Sequence, residues 1–324
     1  MLKQCLTAAL LMFALASSAM AQDNSTFRVT LLGTGTPNPN PDRFGPSTLV
    51  QAGNLNLLFD AGRGNTIRLW QLKVPLGSLD EVFLTHYHSD HVNGLADLWM
   101  TGWLPPVYAG RKQPFNITGP TGLQALTDGL VSAFENNAKV RIADEKLPPE
   151  ANRFNVTEFD EQVGGVVYEK NGVRVTAFSN LHGDLIHPSV GYRIDYQGKS
   201  VVISGDTRKS KTVVEHSRGV DLLIHEVAAA RPELLEALPR LQPIMNHHTT
   251  PQEAGEVFSE AKPKMAAFTH FVLLANQDYP PMTPAEIETA TRETYDGPLA
   301  MGQDLMAFDL SGDKVRVIPW NSDR

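Results

Sequence analysis

The densest chemistry in the chain lies in Thr85-His86-Tyr87-His88-Ser89-Asp90-His91, where three imidazoles and a carboxylate fall within six residues, directly after an apolar run. Imidazole nitrogen and carboxylate oxygen are the donors that suit zinc, and they also accept manganese or iron. In an extended segment His86 and His88 point the same way, because side chains alternate with a period of two. If the chain then turns, with Gly94 closing the turn before a helix, Asp90 and His91 face back toward the same space. Two metal ions a few ångströms apart require this kind of crowding. The bland alternative is a chance cluster of surface histidines, and the HxHxDH order, made wholly of ligand types, argues against it.

The elements that must hold these residues follow from periodicity and turn chemistry. Residues 28–32, 47–51 and 55–60 read as short strands at an antiparallel sheet edge, and 67–72 as helical. A buried strand over 81–85 runs straight into the histidine cluster. Residues 115–118 read as a strand, and 121–134 as a helix on the spacing of Leu123, Leu126, Leu130 and Phe134. The polar stretch 135–160 reads as an irregular insertion. Strands 166–169 and 173–178 flank Asn171-Gly172, a strong hairpin signal, and strands 192–196 and 200–204 flank Gln197-Gly198. Strand 221–225, helix Pro251–Ala261, strand 265–269, helix 284–295 and closing strands 305–310 and 315–318 complete the chain. The pattern predicts one α/β domain over 22–324, two β-rich halves with helices outside, an αββα sandwich of four layers.

Composition limits what this domain can be. With 324 residues, 42% apolar and 20% charged, the chain is globular. Its net charge of −8 argues against a broad electrostatic grip on nucleic acid. The single cysteine, Cys5, excludes a disulfide framework, a zinc ribbon and a Cys–His protease, so any metal must sit on nitrogen and oxygen. Residues 1–21 read as a signal peptide: Lys3, an apolar run over 6–16, and Ala19-Met20-Ala21 as cleavage site. That run is too short to span about 30 Å of hydrocarbon. A periplasmic or secreted protein is expected, with no membrane partner after cleavage.

HxHxDH followed by glycine resembles the metallo-β-lactamase superfamily. The opening LLGTGTPNP, Asp60-Ala61-Gly62, GYRIDYQGKSVVISGDT, LLIHE, HHTTPQEAG and FTH resemble its ribonuclease Z-like branch. Among its members, the exported arylsulfatase-like and phosphodiesterase-like hydrolases look most similar. Carried over residue by residue, the resemblance implies that His86, His88 and a later histidine hold one zinc, and that Asp90, His91 and His270 hold a second. Asp206 would bridge the two, which makes independent sense because two dications need an anion between them. His182, at a strand end with Gly183 after it, is favoured as the third ligand of the first site over its rival His187. His248 resembles the pocket histidine that faces the scissile group, and Glu226 would orient it. Thr250, before Pro251, reads as a helix cap. His225 and His247 read as structural neighbours and His216 as a solvated surface residue.

On this reading two Zn2+ ions (Mn2+ or Fe2+ are alternatives) lower the pKa of a bridging water to near neutrality and supply hydroxide. Asp90 orients the hydroxide, and His248 contacts a non-bridging oxygen and protonates the leaving group. Gly33-Thr34-Gly35-Thr36 is a lone turn, not a phosphate loop. Nucleases of the branch carry a long RNA-gripping arm after the GYR hairpin. Here only fifteen positions lead from Gly191 to Asp206. The expectation is therefore an exported hydrolase of a small anionic ester, an aryl sulfate or phosphodiester, with no nucleic-acid partner. Trp99, Trp103 and Tyr108 could wall an aryl group, although core or lid packing is their more ordinary role. A lactone or carboxylic ester is the alternative substrate. A non-catalytic periplasmic metal-binding protein is the alternative class, but it predicts lost ligands and no ligand position is replaced. A homodimer is a further expectation, since the branch often forms dimers.

Overall fold

A computed structural model describes residues 26–321 other than 107; residues 1–21, read above as a signal peptide, lie outside the described residues. Strands β1 (Phe27–Gly33), β2 (Ser47–Ala52), β3 (Leu55–Phe59), β4 (Glu81–Phe83), β5 (Phe115–Pro120) and β6 (Phe154–Phe159) belong to one sheet. Strands β7 (Gly165–Lys170), β8 (Val173–Ser179), β9 (Val190–Tyr196), β10 (Lys199–Ile203), β11 (Leu222–Ala229), β12 (Met265–Leu273) and β13 (Leu299–Met301) form a second. The first is completed by β14 (Ala307–Asp309) and β15 (Arg316–Ile318), in the order β15-β14-β1-β2-β3-β4-β5-β6. The second runs β13-β12-β11-β10-β9-β8-β7.

The two sheets share one apolar layer, in which Val29, Leu57 and Phe83 of the first meet Val175, Tyr192 and Ile224 of the second. The alternate residues of the same strands face helices. Leu49, Leu58 and Val82 pack toward α1 (Asn65–Gln71), which precedes a four-residue α2 (Ser89–Val92), and toward α3 (Leu95–Trp103). Helices α4 (Leu123–Ala133) and α5 (Glu135–Asp144) cover the same side. On the far side Val202, Leu223 and Phe268 pack against α6 (Lys211–Ser217) and, beyond α7 (Pro232–Ala237) and α8 (Gln242–Met245), against α9 (Pro251–Ala261) and α10 (Pro284–Thr291). The period of two sends alternate residues to opposite faces of each sheet, and so yields four layers, αββα.

Local chemistry explains several boundaries. The β7–β8 and β9–β10 hairpins turn through Asn171-Gly172 and Gln197-Gly198, all four with positive φ, the geometry that matches strand twist. Helix α9 starts at the expected cap: Thr250 accepts from Glu253 N, and the Glu253 carboxylate accepts from Thr250 N.

Three expectations need correction. β1 to β3 pair antiparallel, but not at an edge, because β14 and β15 lie outside β1. Residues 135–160 are not irregular: they hold α5 and β6, the last strand of its sheet. β11 and β12 run four residues past their expected ends, which places Glu226 and His270 inside paired strands.

One buried carboxyl sets a pH dependence for the fold. Glu81, 8% exposed, accepts a hydrogen bond from Thr118 Oγ1 at 2.9 Å. Burial, reinforced by nearby Asp80, pushes its pKa up from 4.5 to about 7 against the opposing pull of Thr118 and Lys170. A raised carboxyl means that the folded state binds more protons than the unfolded state between these two values. Stability from this group is therefore complete below about 4.5 and is lost as pH rises toward 7. Glu81→Gln keeps an acceptor for Thr118 and cannot ionise. It should stabilise the protein by about 2–3 kcal/mol at pH 8 and by nothing measurable at pH 4. Urea unfolding at both pH values checks this, and equal stabilities at pH 8 would refute it.

Candidate metal centre

The histidine cluster is placed by three strands that end at one rim of the apolar layer between the sheets. β4 stops at Phe83, and the following residues are stitched to the second sheet: Val190 N donates to Thr85 O, and His86 bridges Ser189. His88 is the extended residue before α2, so Asp90 and His91 turn back on the first helical turn. His182 follows β8, and Asp206 follows β10 after Gly205. Gly205 has φ +62 and would set a Cβ only 2.6 Å from Val190 O. His270 lies within β12, where the pairing with β11 slips: Glu226 faces Thr269 and Val227 faces Phe271. His270 is thus the extra residue of a bulge, with φ +44, and the bulge re-aims its side chain at the rim.

The side chains form two ligand sets that share one oxygen. In the first, His86 Nε2 and His182 Nε2 each lie 3.1 Å from His88 Nδ1, and stand 3.8 and 3.6 Å from Asp206 Oδ2. In the second, His270 Nε2 is 3.1 Å and His91 Nε2 3.6 Å from Asp90 Oδ2, while Asp206 Oδ2 lies 3.3 and 3.4 Å from the same two nitrogens. Ligands about 2.1 Å from a tetrahedral ion stand about 3.4 Å apart, so both sets match a zinc-sized ion.

Hydrogen bonding strengthens this fit. Asp60 accepts from His91 Nδ1–H at 2.8 Å and from Thr85 N and Oγ1, and Thr85 Oγ1 accepts in turn from His86 Nδ1–H at 3.0 Å. The carbonyl of His247 accepts from His182 Nδ1–H at 2.9 Å. These outer bonds put the proton of all three rings on Nδ1 and turn their Nε2 lone pairs inward. His91 Nε2 has no hydrogen-bond partner at all, although it is buried. Converging lone pairs around a carboxylate repel each other unless a cation lies between them.

Electrostatics treat the two sets differently: burial would lower His91, but the Asp206 and Asp60 carboxylates lift it well above its ordinary value, so its Nε2 carries a proton where no cation neutralises those carboxylates. Burial, with neighbouring imidazoles, holds His86 well below its ordinary value, and burial pushes His182 down to about 4. Both are neutral, as metal ligands must be. Burial alone would raise Asp90 and Asp206, but His270 and His91 hold both carboxyls below their usual range.

Beside these sets stands His248, whose Nδ1–H donates to Glu226 Oε1 at 3.1 Å. The same oxygen accepts from Thr207 N and Thr249 N. Burial lowers the imidazole, yet the Glu226 carboxylate overrides it and raises His248 to about 9. A cleft of about 330 Å³ is lined by Asp90, His182, Asp206, His248 and His270 together.

Most expected site residues meet here; the exceptions are instructive. His187 is half exposed and pairs with Glu161 at 3.0 Å, outside both sets, so His182 fills the third position. His216 is not simply solvated: its ring stacks on Phe178 at 4.3 Å, and burial lowers its pKa. His225 is buried against Phe258 as a structural neighbour, but His247 does more, orienting His182 and lining the cleft. Trp99 and Trp103 belong to the core beneath the first sheet, and Tyr108 is 51% exposed, so none of them walls the cleft. Its wall includes Ile244, Val272, Leu274 and Thr36-Pro37-Asn38. Sequence reasoning also missed Asp60 as the holder of His91; its signal was the Asp60-Ala61-Gly62 step after β3.

Comparison with known proteins agrees with this architecture. A family model described as "Beta-lactamase superfamily domain" matches residues 55–271. A protein named "Ribonuclease Z" from Mycobacterium marinum is 33% identical over 289 residues, 87% of this chain and 98% of the relative. Among solved structures, the metallo-beta-lactamase fold protein YhfI from Bacillus subtilis has a TM-score of 0.67 at 18% identity, covering 88% of this chain and 99% of that one. Human tRNase Z, short form, has a TM-score of 0.62 at 23% identity, with 86% and 98% covered.

Proposed function

The chain belongs to the beta-lactamase superfamily, in its ribonuclease Z-like branch, and on that premise we propose that this metal-dependent hydrolase cleaves phosphodiester bonds in RNA. Two expectations are corrected. The small-ester substrate and the exclusion of nucleic acid are overturned by relatives named Ribonuclease Z, aligned over nearly their whole length. The reason is physical. Net charge is a sum over the chain and says little about one dicationic cleft. The short β9–β10 hairpin turns at the far end of its strands from Asp206, so it bears on how a long substrate is gripped and not on what is cleaved.

His86, His88 and His182 would hold one zinc ion and Asp90, His91 and His270 the other, with Asp206 shared. Bound there, the metals would supply Lewis acidity and an acidified water at neutral pH. The chain's own residues do the rest. Asp90, facing the cleft, orients the attacking water through the oxygen that also meets His270. His248, kept protonated by Glu226, donates its Nε2 proton to the leaving oxygen or to a non-bridging phosphoryl oxygen. Ile244, Val272 and Leu274 exclude water from part of the cleft.

The observation that carries this reading is the charged His248 beside the shared carboxylate. An alkoxide leaving group needs a proton, and the Glu226 carboxylate, 3.1 Å from His248 Nδ1, favours the protonated form of that ring. Metal-loaded protein should cut a transfer-RNA precursor bearing a 3′ extension, and chelation should stop the reaction. Failure to cut any RNA, with both metals bound, would refute the proposal. The leader reading of residues 1–21 is a separate proposal, and N-terminal sequencing of protein recovered from cells decides it.

A further inference from the structure

A second cavity, of about 260 Å³, lies at the other end of β1 from the cleft. The C-terminal end of β1 leads to Thr36-Pro37-Asn38 in the cleft wall; Arg28, near its start, lies five residues before Gly33, roughly 17 Å away along the strand. Arg28, Lys73, Gln51, Gln71, Ile318 and Trp320 line this cavity.

Arg28 is held between Gln51 of β2 and Asp309 of β14. Its Nε is buried and has no hydrogen-bond partner, which is uncommon for a buried donor. Asp309 does not supply one, because its oxygens accept from Arg316 at 2.7 Å and from Ser311 N at 3.0 Å. Among the described residues neither Arg28 nor Lys73 has a carboxylate within 4 Å, although, against burial, the Arg28 charge helps to hold the cross-strand Asp309 carboxyl below its usual range. The two amides are half used. Gln51 Nε2 donates to Asn56 and Gln71 Oε1 accepts from Arg68, which leaves Gln51 Oε1 as acceptor and Gln71 Nε2 as donor. Trp320 and Ile318 add an apolar wall.

We propose that this cavity binds a small anion carrying a flat heterocycle, of the nucleoside monophosphate class. Arg28 and Lys73 meet the phosphate, Trp320 stacks on the ring, and the two glutamine amides read a donor–acceptor edge. A guanidinium suits phosphate because its donors are fixed in a fork. The site is independent of which ester the metal centre cleaves.

The probe is AMP, titrated calorimetrically into the metal-loaded protein, with adenosine and inorganic phosphate as half-ligands. Arg28→Gln should weaken AMP binding about 10- to 100-fold, and Trp320→Leu about 5- to 50-fold. Neither variant should change RNA hydrolysis, although Trp320→Leu also removes packing against the core beneath the first sheet and should lower the thermal midpoint. Phosphate should lose affinity only in Arg28→Gln, and adenosine only in Trp320→Leu. A 5′-phosphorylated triadenylate separates the two sources of this chemistry: binding equal to AMP marks a chain end, and no binding marks a free nucleotide. The proposal is overturned if wild-type protein ignores millimolar AMP, or if both variants bind it as wild type does. It is equally overturned if AMP binding is lost only in His248→Ala, which would place the ligand in the cleft.

Discussion

Asp206→Ala should lose about 10³- to 10⁵-fold in kcat/KM on RNA and retain at most one metal ion per chain. The expectation rests on a single atom. Asp206 Oδ2 lies 3.3–3.4 Å from His270 and His91 Nε2 and 3.6–3.8 Å from His182 and His86 Nε2, so it serves both ligand sets. The carboxylate is 2% exposed, and burial alone would neutralise it; the imidazoles around it keep it ionised. Removing it leaves five inward-facing rings with only Asp90 beside two of them, so no anion stands between the two sets and two dications could no longer be held at close range. Asp90→Ala differs because Asp90 meets only His91 and His270. That variant should keep the metal held by His86, His88 and His182. Elemental analysis of the two variants beside their turnover separates the roles. Asp206→Ala with two metals per chain and wild-type turnover would end the shared-ligand reading.

The metal ligands were legible where the chain itself crowds them. HxHxDH needs only extended alternation and one helical turn to bring four donors together, and the extended segment after β4, bridged at His86 to Ser189, and α2 supply both. His270 was harder. An apolar strand ending in histidine placed it at the right end of the sheet, but the slip between β11 and β12 that aims it inward depends on pairing between distant residues. Asp60 escaped because it acts through His91, and a residue that touches no substrate has no spacing rule of its own.

The misread segments fail for physical reasons too. Helix α5 buries only Ala138, so it lacks the apolar stripe from which helices are recognised. Strand β6 sits at the end of its sheet with no fully buried residue, and its sequence resembles a loop. The substrate was misjudged because whole-chain charge was set against a site whose charge would come from bound ions. The αββα layering was secure throughout, since it follows from alternation in the long strands and no single boundary decides it.

His248→Ala should cost about 10²- to 10⁴-fold in kcat on RNA while leaving metal content unchanged, because His248 faces the cleft without joining the two sets built around His88 and His91. The sharper test is Glu226→Gln. Glutamine can still accept through Oε1 from His248 Nδ1–H, Thr207 N and Thr249 N, so the geometry survives and only the charge is lost. Burial pulls the imidazole down and the Glu226 charge pulls it up, with a balance at about 9. A proton donor is active below its pKa, so kcat in the wild type should fall as pH rises through the value that His248 holds with the metals bound. Without the charge, burial dominates, and the alkaline limb should move down toward or below the ordinary imidazole value of about 6.5. Bound metals lower both limbs alike, so the displacement between them is the quantity to read. A purely structural Glu226 would lower kcat at every pH and leave the limb in place. A wild-type rate in His248→Ala, or an unmoved limb in Glu226→Gln, would remove the proton-donor role and return the protonation of the leaving oxygen to solvent.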